Sequence, residues 1–495
     1  MSGPQLTEVG TLMQKSIARR PLPTPPTKTT TPTQPATSTA STGGAKPLPT
    51  PPPKTVTPTA PSQPVVALED TAKREEFVKR QATLDGVFNA LKDKIGKLSA
   101  PPAAVAAALK TAGDAQTATE KAGKADKPDW AVATGELDTF ERLTTALAKA
   151  CVDAAATLAA GFTTNFTANK DGDTAGAEQI KLRIAYLKEQ KKLDGLIASK
   201  DGIGALEACP TVASALAVFV AVANPSPSER SKTSAAALAT VTGLSDSVLA
   251  AKSTTEKAHL AFDLCANGEP DSGPVLDQLC RIYRNSPQEP AFLAKREAER
   301  TKIAEKVSKI ADVANLYKAD GDLDEAKWNA VIADPVKVQA LLKQVSDAQA
   351  EVLGLPPLEV TTYSTPSDGK STDMGGCVWT ATGLPTIELN AHPDAISSAS
   401  EAMISILHET FHAQQDILVK KLMAGELDPT DPIYPQVLMY AANKPGNGYL
   451  PPSVDQDEYE AQPVEIDAET QGARAATQVF LAIKKAKTTP TGGGT

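Results

Sequence analysis

Apolar residues recur at helical spacing almost throughout residues 66–355. In DTAKREEFVKRQATLDGVFNALKDKIGKL, Phe77, Leu84, Val87, Phe88 and Leu91 fall on one face with charges opposite, the pattern of a helix laid on a core. FERLTTALAKACVDAAATLAA, AEQIKLRIAYLKEQKKLDGLIA, AFLAKREAERTKIAEKVSKIADVANLY and VKVQALLKQVSDAQAEVLGL repeat that period. Breaks rich in Pro, Gly and Asp, such as NPSPSER and NGEPDSGP, separate them. Abundant alanine between sparse aromatics predicts thin, closely approaching helices in an elongated bundle or stacked hairpins, with coiled-coil character.

Near residue 356 the period changes. LPPLEVTTYSTPSDGKSTDMGGCVWTATGLPTIELNAHPD sets β-branched residues between Gly, Pro and Asp breaks, predicting short strands near 358–363, 376–381 and 386–390. TIELN, the last of these, is expected to offer an edge to an extended peptide. PDAISSASEAMISILHETFHAQQDILVKKLMAG then reads as the strongest helix of this part, with Asp394 or Ser397 to cap its start and Gly425 its end. Met403, Leu407, Phe411, Leu418 and Leu422 form its inward stripe. The chain is therefore expected to be mainly α. Its parts are a disordered Pro/Thr-rich leader at 1–65, a helical region at 66–355, an α+β domain at 356–485 and a flexible tail at 486–495.

The leader repeats itself: RPLPTPPTKT at 20–29 returns as KPLPTPPPKT at 46–55. Proline fixes φ near the polyproline II value and removes donors, so this stretch reads as an extended, solvated spacer. Ahead of it, Leu6, Val9, Leu12, Met13 and Ile17 lie at helical spacing, giving either a short frayed helix or a docking peptide for a partner. The N-terminus has no continuous apolar stretch of the kind a secretory signal needs.

A net charge of −9 and the lack of a long Lys/Arg cluster argue against nucleic acid, which needs a cationic face to displace counterions. Aromatics at 4% leave little to stack on bases. No apolar run approaches about 18 residues, so no membrane span is expected. The five cysteines, Cys151, Cys209, Cys265, Cys280 and Cys377, are widely spaced and fit reduced thiols, with Cys265 and Cys280 the pair that could oxidise outside a cell. The chain is therefore expected in the cytoplasm of the cell that makes it, with any export expected to be independent of a cleavable signal. NKDGDTAG and KADGDLDE lack the full ligand spacing of calcium loops and read as solvated turns.

Of four histidines, two stand at i and i+4 in LHETFHAQQD: His408 and His412. On a helix their Cβ atoms lie about 5–6 Å apart, and one ion can take a nitrogen from each at about 2.0–2.1 Å. Glu409 is angled to reach a bound water without ligating the ion. This is H-E-x-x-H on a helix, the zinc metallopeptidase motif. Only three positions are fixed, so satisfied core histidines are the competing reading. A catalytic zinc wants a third protein ligand. Gln415 and Leu418 stand where a metzincin has Gly and His. Downstream, in DEYEAQPVEIDAETQGARAATQVFLAIKKAK, Pro463 suits the first turn of a helix on which Glu465 and Glu469 share a face. Gly472 is a further turn on, where a close helix approach needs no side chain.

H-E-x-x-H on one helix followed by E-x-x-A-[DE] on a second resembles the gluzincin-type zinc peptidases. The resemblance implies a zincin-like domain with Zn2+ on His408, His412 and Glu465, Glu409 as general base, and Glu469 orienting a ligating histidine. Position 469 departs from the pattern, since Asp is the commoner acid there. More narrowly, LHETFHAQQ with PVEIDAE is similar to small metallopeptidase-like domains of bacterial effectors, some of them cargo of contractile injection systems. That resemblance covers about 130 C-terminal residues. It implies a protein or peptide substrate, a toxin or effector role, and a delivery apparatus engaged through the leader.

An oxyanion needs a donor opposite the base. Tyr459 is the candidate, Tyr449 and Tyr440 its rivals, and all three also read as packing residues. His392 is either an alternative ligand or a loop histidine. Asp455, Asp457, Glu458 and Glu460 either favour a basic substrate segment or form a solvated loop. Two functions follow: a zinc-dependent endopeptidase, or a helical binding or structural protein whose zincin domain is inactive or self-processing.

Overall fold

Helices form where the periodicity predicts them, and the chain is mainly helical. The computed structural model describes residues 65–169, 176–268, 273–366, 375–379, 383–393, 395–396, 398–452 and 455–489. The leader, most of NKDGDTAG, Asp394, Ser397 and the last six residues lie outside these.

Packing divides the chain into two compact units. The smaller holds, among the described residues, 65–156 and 199–207. It contains α1 (Val65–Ile95), α2 (Ala103–Gly123) and the first part of α3 (Trp130–Asn169). Phe77, Phe88 and Ile95 are buried, but Val87 is 50% exposed, so the apolar face of α1 is a narrower seam than its pattern suggests. Phe88 meets Phe140 edge-on at 5.4 Å, and Phe77 meets Trp130 at 5.8 Å. Both α3 and α5 (Gly202–Val220) are long and apolar enough to cross a membrane by length and composition, which corrects the reading that no stretch approaches that length. Unbroken runs were the wrong measure: Lys149 and Asp153 interrupt α3 but pair with each other one turn apart. A core helix passes the same test.

The larger unit holds 157–169, 176–198 and 208–489 of the described residues. Its helices include α4 (Ala177–Ala198), α6 (Pro227–Gly243), α7 (Asp246–Ala251), α8 (Thr254–Leu264), α9 (Gly273–Arg284) and α10 (Pro290–Val307). Then come α11 (Ala311–Asn315), α12 (Glu325–Ile332) and α13 (Pro335–Leu353). Three short strands follow: β1 (Glu359–Tyr363), β2 (Gly375–Val378) and β3 (Thr386–Asn390). The chain closes with α14 (Ala399–Met423), α15 (Tyr434–Ala442), α16 (Gln456–Glu460) and α17 (Pro463–Thr488), the last running into the stretch expected to be tail.

The sheet order is β1-β3-β2, with β3 parallel to β1 and antiparallel to β2. Thr386 pairs with Glu359 on one side and Val378 on the other. TIELN is therefore the central strand and has no free edge, which corrects its expected role. A strand read alone carries no information about its partners.

One core gathers Ile303 and Val307 from α10, Leu342 and Val345 from α13, Ile387 and Leu389 from β3, Ile406 and Phe411 from α14, and Val479 from α17. A second gathers Ile184, Phe262, Leu279 and Tyr440 against Val419 and Leu422 of α14. Helix α14 lies between the two and is buried on most of its circumference, beyond the single stripe its pattern predicts. The change of texture at residue 356 thus falls inside one unit, whose first core takes side chains from both sides of it.

Ser398 caps α14, while Asp394 and Ser397, the expected caps, lie outside the described residues. The Ser398 hydroxyl accepts from Glu401 N at 3.1 Å while the Glu401 carboxylate accepts from Ser398 N at 3.2 Å. At the far end Gly425 adopts φ +67°, and Glu426 N donates back to Lys421 O at 2.8 Å. Pro463 opens α17, where Val464 N donates to the Asn443 side chain at 3.1 Å, so the residue that ends α15 supplies the cap that Gln462 does not.

Candidate metal centre

Helices α14 and α17 carry the chemistry, and they cross where Gly472 faces His408. A Cβ on Gly472 would stand 3.0–3.1 Å from the N, Cα and Cβ of His408. A residue without a side chain suits so close an approach of two helices.

Across that approach three ligand atoms converge. His408 Nε2 and His412 Nε2 are 2.9 Å apart, and Glu465 Oε2 is 3.2 Å from the second and 3.6 Å from the first. A tetrahedral ion with bonds of about 2.0–2.1 Å separates its ligand atoms by about 3.3 Å. The group fits one such ion, and it is the grouping able to hold a metal among the described residues. His392 is not part of it.

The outer nitrogens say which way the lone pairs face. His412 Nδ1 lies 2.8 Å from Gln415 Oε1, and His408 Nδ1 lies 3.3 Å from Glu469 Oε2. Both partners are acceptors, so each Nδ1 carries its hydrogen outward. Each Nε2 then points a lone pair inward, at the other. Two lone pairs at 2.9 Å need a cation between them, either a proton or a metal ion.

The local field favours that cation. Glu469, Glu465 and Glu409 place carboxylate oxygens 3.3, 3.6 and 3.8 Å from His408 nitrogens. Burial alone would push His408 down, but these carboxylates outweigh it and push the imidazole up to about 10. Burial works against the charged form of Glu465 as well, and the two histidines overcome it, holding that carboxyl well below its usual range. Its other oxygen, Oε1, accepts from the Tyr449 hydroxyl at 3.0 Å, which turns Oε2 toward the histidines. Burial and the Glu465 carboxylate hold the Tyr449 phenol protonated, well above 10. Glu409 is fully buried beside His408.

Comparison of the chain with protein-family models, with curated proteins and with solved structures gave no match.

His408, His412, Glu465 and Glu469 stand together as the spacing suggested, with Glu409 adjoining. The Tyr459 ring packs edge-on against Tyr449 at 6.1 Å, and it is the Tyr449 hydroxyl that donates to Glu465. Tyr440 packs on Phe292 in the second core. Three of the four acids before α17 are engaged in the fold. Asp455 caps α16, Glu458 pairs with Arg284 at 2.7 Å, and Glu460 accepts from Gln456 at 2.7 Å.

The residues that sequence reasoning missed surround His412. Gln415 has a readable signal, because i+3 from a histidine is the next turn of the same face. Asp467 stands two residues after Glu465 and pairs with Arg296 of α10, 171 positions away, a separation that no local pattern reveals.

Proposed function

We propose that the chain is a zinc-dependent endopeptidase. What carries this reading is the convergence of His408 Nε2, His412 Nε2 and Glu465 Oε2 at tetrahedral spacing, with Glu409 buried alongside.

His408, His412 and Glu465 would hold the ion. Once bound, it supplies a Lewis acid that polarises the scissile carbonyl and acidifies a water. Glu409 takes the proton of the attacking water and passes it to the leaving amine. Glu469 and Gln415 hold the two imidazoles with their lone pairs inward, and Tyr449 fixes the rotamer of Glu465. The leader would serve loading onto a delivery apparatus, and the role would be that of an exported effector.

Elemental analysis of the purified chain, joined to a search for new protein termini in treated proteomes, tests the reading. About one zinc per chain is expected, lost in His408→Ala, His412→Ala and Glu465→Ala. Glu409→Gln should keep the metal and lose the new termini. A chain that stays metal-free when zinc is supplied at neutral pH ends the proposal, and a zinc-loaded chain without new termini favours the helical binding protein.

A further inference from the structure

Arg296 is among the most completely buried side chains in the molecule, yet it lies on α10, far along the chain from the histidine pair. Its guanidinium stacks on Phe292 and Phe411 at 4.6 and 4.9 Å and donates to Asp467 twice, Nε to Oδ1 at 3.2 Å and Nη2 to Oδ2 at 2.7 Å. Its Nη1 donates to Glu299 at 2.8 Å and to the side-chain amide oxygen of Gln414. Asp467 also accepts from Gln288 Nε2 at 2.9 Å and from Gln415 Nε2 at 3.1 Å. The same Gln415 nitrogen donates to Val464 O at 3.0 Å. Gln415 Oε1 is left facing His412 Nδ1 at 2.8 Å.

Direction along this chain is dictated from its charged end. A carboxylate that accepts from Arg296 and Gln288 can only accept from Gln415. The Gln415 amide must then turn its NH2 toward Asp467 and Val464, and its oxygen toward His412. His412 in turn must carry its hydrogen on Nδ1, which leaves Nε2 free to ligate.

We propose that Arg296, Asp467 and Gln415 form a buried relay of positioning residues that sets the tautomer and ring orientation of His412, making helix α10 part of the metal centre. The proposal rests on the metal reading above. It gives the helical region a task in the site that the two sequence motifs do not disclose. It also explains why a full ion pair is kept in an apolar core, where a hydrophobic substitute would cost less to bury.

The test uses the full chain labelled with 15N-histidine, which gives only four imidazoles to assign. In zinc-loaded wild type, His412 should show a slowly exchanging Nδ1–H. Gln415→Leu should weaken zinc binding by about 10–100-fold in chelator competition. It should also shift the visible spectrum of the Co2+-substituted protein and speed exchange of that hydrogen, while Gln288→Met, which touches Asp467 but not Gln415, moves neither. If Gln415→Leu does not fold, the wild-type spectrum still decides: a His412 protonated on Nε2 overturns the relay. So does a folded Gln415→Leu with wild-type zinc affinity and an unchanged Co2+ spectrum. A wild type that binds no zinc brings down the metal reading and this one with it, whereas a zinc-binding wild type with an indifferent Gln415 brings down only the relay.

Discussion

Gly472 faces the backbone of His408 so closely that an added Cβ would stand only 3.0–3.1 Å from it, tighter than ordinary contact. Alanine in a helix interior ordinarily gains about 1 kcal/mol over glycine. Here the methyl would press on backbone atoms, which cannot step aside as a side-chain tip can, and overpacking of that kind costs about 1–3 kcal/mol. The clash should win. Gly472→Ala is expected to lower the melting temperature and to weaken zinc binding, whereas Gly135→Ala, where a Cβ meets nothing within 4 Å, should do neither. Equal or higher melting temperature for Gly472→Ala would show that the helices are not held this close.

Zinc uptake should release a proton. In the metal-free protein the His408 imidazole, pushed up to about 10, is charged at neutral pH and can donate its Nε2–H to His412 Nε2 at 2.9 Å. A metal takes the place of that hydrogen. Titration calorimetry in buffers of different ionisation heat should give about one proton released per ion near pH 7. Release should diminish above pH 10. Because the folded value is raised, the metal-free protein has this stabilisation in full below about 6.5 and loses it as pH rises through about 10. Heat denaturation of metal-free protein at pH 6.5, 8 and 10 would expose the trend, and a melting temperature that climbs with pH would contradict it.

Tyr449→Phe deletes the hydrogen bond to Glu465 Oε1 and should weaken zinc binding by about 10-fold, within the range for groups that orient ligands. Tyr459→Phe keeps the ring packing and is expected to have the smaller effect. Competition with a chelator ranks the two, and a larger loss in Tyr459→Phe would reverse the assignment.

Removing one end of the buried ion pair leaves the other uncompensated. Arg296→Met strands Asp467 and should cost about 3–5 kcal/mol of stability, far more than an exposed pair such as Lys110–Asp114 could. The Asp467 carboxyl, which burial alone would raise, is held below its usual range by Arg296. Its contribution is therefore present above about 3.9 and is lost as pH falls through the folded value. Acid unfolding of wild type should steepen below pH 4, a feature that Asp467→Asn ought to lack.

Residues 356–485 expressed alone should not fold. They would lack Ile303, Val307, Leu342 and Val345 from the first core and Arg296 from the relay. Circular dichroism with little helix and no zinc retention is expected. A cooperative, zinc-binding fragment would refute this.

Local patterns carried the side chains of the candidate centre. His408, Glu409 and His412 lie within two turns of one helix, Glu465 and Glu469 within two turns of another, and Gly472 announced their close approach. The cap of α14 was equally readable, since Ser398 with Glu401 is a capping box, but the serine one position earlier masked it. Pairings between distant segments were not readable. The central place of β3, the hydrogen bond from Tyr449 to Glu465, and the salt bridge joining Arg296 to Asp467 all depend on where a loop or a remote helix returns. The texture change at 356 was visible, yet side chains on both sides of it fill one core.

Because the ligands stand on two helices that lean on a third, none of the geometry outlives unfolding. Threading this polypeptide through an opening narrower than its folded width would strip any ion it held. Under the proposed function, refolding would then have to recapture an ion, so zinc content would track the metal present where the chain refolds.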